Sequence, residues 1–98
     1  MASPITIGVA AVLVAPVNKK RVLIRFQNTS PTQVIYLKKV PITGTTTTVS
    51  AADYEIELQP VTTLVDGSDA FETNAVNSFI AISSAAAGVL AIYETSKV

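Results

Sequence analysis

The break at Asn28-Thr29-Ser30-Pro31-Thr32 constrains this chain more than any other stretch. It separates two short runs, Val22-Leu23-Ile24-Arg25-Phe26-Gln27 and Gln33-Val34-Ile35-Tyr36-Leu37, in which β-branched and aromatic residues dominate. The break is built from small polar residues that bond their own backbone and from a proline of fixed φ, which together make a turn. Five residues suffice to join antiparallel strands. A parallel crossover needs about a dozen or more. The sequence therefore predicts a central antiparallel hairpin. Alternation places Val22, Ile24 and Phe26 on one face of its first strand and Arg21, Leu23, Arg25 and Gln27 on the other. That second face is the expected surface for a partner.

Other runs of the same kind surround it. Residues 5–7 and 11–14 read as two short strands with a bend near Gly8, after an N-terminal arm of residues 1–4. Pro16-Val17-Asn18-Lys19-Lys20 turns the chain into the hairpin. Tyr54-Glu55-Ile56-Glu57-Leu58-Gln59 is the cleanest alternation, ended or bent by Pro60 and followed by a further extended run over 61–65. Between them, Thr45-Thr46-Thr47-Thr48 carries no amphipathic signal and reads as an edge strand or an extended loop. Ser78-Phe79-Ile80-Ala81-Ile82 and Gly88-Val89-Leu90-Ala91-Ile92-Tyr93 read as two closing strands, before a C-terminal tail at 95–98. Ala85-Ala86-Ala87 between them favours a helical turn when taken alone. The prediction is one all-β domain over residues 1–98. It is a small antiparallel β-sandwich or jelly-roll-like barrel of about seven or eight short strands.

Composition narrows the function. Seven basic and seven acidic residues cancel, so no nucleic-acid or anionic-membrane partner is expected. Charged residues make up 14% of the chain, against about 25% in an ordinary domain. With 49% hydrophobic residues, the chain has more apolar surface than a small monomer readily hides. Burial in an oligomer accounts for that, and so does a compact β domain coated with Ser and Thr. Cysteine and histidine are both absent. That removes disulfides, thiolate nucleophiles, the usual metal ligands and the usual base for a nucleophilic serine. Neither an enzyme nor a cofactor or small-molecule substrate is expected.

Three segments raise sharper possibilities. Asp66-Gly67-Ser68-Asp69, with Glu72 nearby, suggests a calcium loop, yet a hard cation takes about six to eight oxygens at set spacings and that pattern is missing. Turn chemistry is the simpler reading. The run 75–93 has no charge and approaches the length of a membrane helix. Asn77, Ser78, Ser83 and Ser84, together with its β-branching and the lack of basic anchors beside it, favour two strands over a membrane anchor. The apolar run at 5–17 lacks the basic n-region of a signal peptide, because the first lysine is Lys19.

Three stretches resemble the small β-sandwich proteins of tailed-phage virions: the capsid decoration or cement type, with related head-fibre and tail modules. Val22 to Thr29 followed by Val34-Ile35-Tyr36-Leu37 resembles their central hairpin of strand, Gln-Asn, turn and Val-Tyr-Leu. Ile56-Glu57-Leu58-Gln59-Pro60-Val61-Thr62-Thr63-Leu64 is similar to their proline-led join of two strands, and 78–82 with 89–94 to their closing pair. Lys38-Lys39 and the threonine tract depart from that pattern. The resemblance spans about residues 5–94 and implies a non-enzymatic protein on the capsid exterior. It would bind and stabilise the head shell, with the major capsid protein and its own copies, as a homotrimer, for partners. A fibre-base or tail module is the alternative, and a protein anchored through 75–93 a remoter one.

The interface candidates are Arg21, Leu23, Arg25, Tyr36 and Tyr93. Arg21, Leu23 and Arg25 form either a solvated face, where ion pairs contribute little, or a stripe whose guanidinium groups take carboxylates bidentately. Glu55 and Glu57 are the expected partners within the chain. Tyr36, Tyr54 and Tyr93 are either interface anchors or core-edge residues with wet hydroxyls.

Overall fold

Alternation of apolar and polar residues in runs of three to nine residues yields eight strands among the described residues, every one of them antiparallel to its partners. They are β1 (Ala2–Ile7), β2 (Val12–Ala15), β3 (Arg21–Asn28), β4 (Ile35–Lys39), β5 (Ile56–Leu58), β6 (Ala70–Thr73), β7 (Phe79–Ser83) and β8 (Gly88–Ser96). The computed structural model describes residues 2–30, 32–40, 49–50, 52–60, 70–85 and 87–97, and no helix occurs among them. The threonine tract, the run 61–65 and the turn 66–69 lie outside the described residues.

Two four-stranded sheets face each other, ordered β1-β8-β3-β6 and β2-β7-β4-β5. This is the strand order of a jelly roll, the double-sheet arrangement in which a long antiparallel ribbon is rolled over a core. The register makes the ribbon visible: Ile5 faces Leu90, Leu13 faces Ile80, Ile24 faces Thr73 and Ile35 faces Leu58. As one partner's number rises the other's falls, so the whole chain doubles back around the β4–β5 connection.

Inward residues of both sheets fill the space between them. Ile7, Ile24, Phe26 and Leu90 come from one sheet, and Ala15, Ile35, Leu37, Leu58, Phe79 and Ala81 from the other. Phe26 and Phe79 meet edge-on across the core, with centroids 5.0 Å apart at 60°. Burying each ring contributes about 1.5–3 kcal/mol, and their contact adds about 0.5–1.5 kcal/mol.

The expected hairpin is not formed. β3 pairs with β6 and β8, β4 with β5 and β7, and the two lie in opposite sheets. Asn28 and Ser30 are the physical reason, because both are buried and bridge the layers. The Asn28 amide donates to the carbonyls of Gln33 (2.7 Å) and Leu58 (2.9 Å), and its oxygen accepts from the Ser30 N–H (2.9 Å). Ser30 in turn accepts from the Val89 N–H at 2.7 Å. The turn residues thus carry the chain across the core as an arch.

The predicted faces of β3 also need correction at one end. Ile24 and Phe26 point inward, but its pairing with β8 shifts register between Arg21 and Leu23. A bulge there breaks the two-residue period. Val22 and Leu23 are both exposed, while Arg21 turns inside. At the ends of the chain, the expected arm is strand from Ala2, and the expected tail is strand through Ser96, paired with Arg21. The run 75–93 contains β7 and most of β8, in different sheets. Among the described residues no helix is long and apolar enough to cross a membrane. Where the alanines suggested a helical turn, Ala87 takes a positive φ of 66° and leads into Gly88. A Cβ on Gly88 would stand 2.5 Å from Ser83 Oγ, so a side chain there would force Ser83 and Ile35 to shift.

Candidate binding surface

The outward residues of the β1-β8-β3-β6 sheet form the candidate site. Strand alternation puts Leu23, Arg25 and Gln27 of β3 on that face, opposite the inward Ile24 and Phe26. Register then fixes their neighbours. Arg25 lies between Tyr93 on β8 and Glu72 on β6, Gln27 between Ala91 and Ala70, and Leu23 beside Thr95. The Arg25 guanidinium carbon sits 6.0 Å from the centre of the Tyr93 ring. Such cation–π stacking contributes about 0.5–1 kcal/mol at an exposed site. It also holds the planar fork in one orientation, which favours bidentate capture of a carboxylate. Three of the five predicted interface residues, Leu23, Arg25 and Tyr93, are therefore brought together.

The other two are elsewhere. Tyr36 lies on β4 in the second sheet, paired with Ile82 and Glu57. Its ring packs on Tyr54, with centroids 4.9 Å apart. Arg21 is not on the outward face at all. Its side chain is fully buried, and Nε donates to Glu94 at 2.6 Å. Nη1 donates to the carbonyls of Ala75 (2.8 Å) and Asn77 (2.7 Å), and Nη2 to that of Pro16 (2.9 Å). One guanidinium thus ties the β2–β3 turn, the β6–β7 connection and β8 together. Its carboxylate is Glu94 rather than Glu55 or Glu57. Glu55 accepts from the Lys39 backbone N–H at 2.6 Å, and Lys38 pairs with Asp53 at 2.7 Å.

Burial pushes the Glu94 carboxyl up, but hydrogen bonds from Arg21 and Asn18, with the guanidinium charge, outweigh it and leave the pKa below the ordinary value. Sequence reading missed this pair because Glu94 and Arg21 are 73 positions apart. The only available signals were a lone Glu94 in apolar β8 and a strand-initial arginine in β3.

A cleft of about 260 Å³ opens between the β5 and β6 edges, lined by Lys39, Glu55, Ile56, Phe71, Thr73 and Phe79. It falls below the ~300–1,000 Å³ of ordinary small-molecule sites. Among the described residues no three carboxylates gather where they could hold a metal ion. An exposed apolar group, Val9, Val12 and Leu13, lies along the β1–β2 side, within the N-terminal apolar run that lacks a clean polar face. The absence of any charge from residue 1 to residue 18 was the signal for it. Comparison with protein-family models, with curated proteins and with solved structures found no match to this chain.

Proposed function

We propose that this chain is a non-enzymatic structural protein of a phage virion, a capsid decoration or cement protein on the outside of the head shell. It acts as a homotrimer and binds the major capsid protein. The observation that carries the reading is the outward face of the β1-β8-β3-β6 sheet. Leu23, Gln27, Glu72 and Thr95 surround a single arginine stacked on Tyr93 there. Such a face has apolar area and hydrogen-bonding groups but little net charge, which suits adhesion to a protein seam. Binding there stabilises the shell by mass action, since the assembled state binds the protein and the dissociated state does not. A jelly roll supports the reading only at the level of the fold, because that architecture hosts many functions besides capsid binding. The resemblance at 56–64 and at the closing strands 78–82 and 89–94 supplies the rest, since the hairpin resembled at 22–37 does not form.

Quantified protein bands from purified particles test it. A decoration protein is present in many copies that track the number of shell subunits, and adding it back to particles lacking it raises their disruption temperature. A handful of copies per particle would instead place the chain in a fibre base or tail.

A further inference from the structure

We propose that copies of this chain meet through the side of the sandwich formed by edge strands β1 and β2. The inference rests on the homo-oligomer reading above and names the surface that reading leaves open. β1 ends one sheet and β2 ends the other. A short turn over 8–11 joins them, so both unpaired edges lie on the same side.

Edge strands offer unsatisfied backbone groups, and proteins usually guard them with charges, prolines or bulges. Pro4 stands within β1, which stays continuous, and a register irregularity between Leu13 and Ala15 disturbs β2. Charge is missing altogether: no Lys, Arg, Asp or Glu occurs before Lys19. Val9 is 63%, Val12 40% and Leu13 55% exposed. Val12 pairs with inward Ala81 and Leu13 with Ile80 on the outer side, so successive residues pointing opposite ways are both open. That occurs because nothing lies beyond β2. A surface laid along the edge covers both at once.

Charge identifies the occupant as a second copy. The opposite side of the sandwich, around β5 and β6, carries Lys39, Asp53, Glu55, Glu57 and Glu72. A partner with such groups would bury them against β2 with nothing to pair them, at a cost in desolvation. A neutral apolar surface is required, and the β1–β2 side of another copy is one. Seven positive and seven negative charges per chain leave no net repulsion between copies. Closed symmetry then uses up the edges instead of propagating a filament.

Light scattering coupled to size exclusion decides the matter, using the full chain, Leu13→Lys, Val9→Lys and Arg25→Ala. Circular dichroism and thermal unfolding check the fold of each variant. Both lysines are expected to reduce an oligomer to the 10.3 kDa mass of one chain without altering the spectrum, while Arg25→Ala stays assembled. Val9 lies in a turn, so Val9→Lys carries the test if Leu13→Lys fails to fold. An oligomer that survives both lysines overturns the proposed surface but keeps the assembly. One that dissociates only with Arg25→Ala moves the contact to the sheet face. A monomeric wild-type chain overturns the homo-oligomer reading itself.

Discussion

Arg21 concentrates more of the structure's polar chemistry than any other residue described above. Its guanidinium is withdrawn from water, so its cost of burial is met only by Glu94 and the three carbonyls it reaches. Removing one partner of a buried pair leaves the remainder uncompensated. Arg21→Met is expected to lower the unfolding free energy by about 3–5 kcal/mol in urea titrations. A lysine at this position restores charge but not the fork, and rescues only part of the loss. The pair also sets a pH dependence. The folded pKa of Glu94 lies below its unfolded value, so its contribution is complete above the unfolded pKa and is lost as pH falls through the folded one. Melting temperature should therefore decline on the acid side of the ordinary carboxylate range, and Glu94→Gln should flatten that decline. An unchanged acid limb in the variant would remove Glu94 from the account.

Among the elements, the β3–β4 arch decides the fold. Its residues are those of a turn, and their side chains determine where the turn leads. Asn28 is buried with all of its observed bonds made inside the protein. Asn28→Ala strands the carbonyls of Gln33 and Leu58 and the Ser30 N–H, where each unsatisfied buried group costs about 1–3 kcal/mol. The expected loss is at least about 2 kcal/mol by denaturant unfolding, far more than for Arg25→Ala, whose stacking on Tyr93 is exposed. Equal losses for the two would mean that the arch is not held by Asn28.

At the scale of the whole molecule, β1 pairs with β8, so the two ends of the chain must meet before the β1-β8-β3-β6 sheet is complete. Most pairings join residues far apart in sequence, and the entropy of closing those loops is spent before the contacts form. Refolding followed by tryptophan-free probes, such as tyrosine fluorescence from Tyr36, Tyr54 and Tyr93, is expected on a scale of about milliseconds to seconds. Microsecond refolding would not fit this topology. For the same reason the final residues are structural: Thr95 and Ser96 pair with Leu23 and Arg21, so trimming the chain at Tyr93 removes both Glu94 and part of a central strand.

What was legible in the sequence is local. Runs of β-branched residues located most strands, Gly8 and Pro16 marked bends, and the shared face of Ile24 and Phe26 followed from a period of two. Leu23, Arg25 and Tyr93, separate interface candidates in the sequence, share one outward face beside Glu72, which the sequence did not reveal. Which strands share a sheet was not legible, because alternation describes the two faces of a strand and is silent about its neighbours. Two strands separated by a turn can lie side by side or face each other across a core with the same pattern. Side chains that satisfy buried backbone groups chose between these arrangements here, at Asn28, Ser30 and Arg21. A single register shift near Arg21 then exchanged an expected surface charge for a buried one. Those are properties of the closed tertiary structure, since each depends on partners tens of residues away that only the rolled ribbon brings within hydrogen-bonding distance.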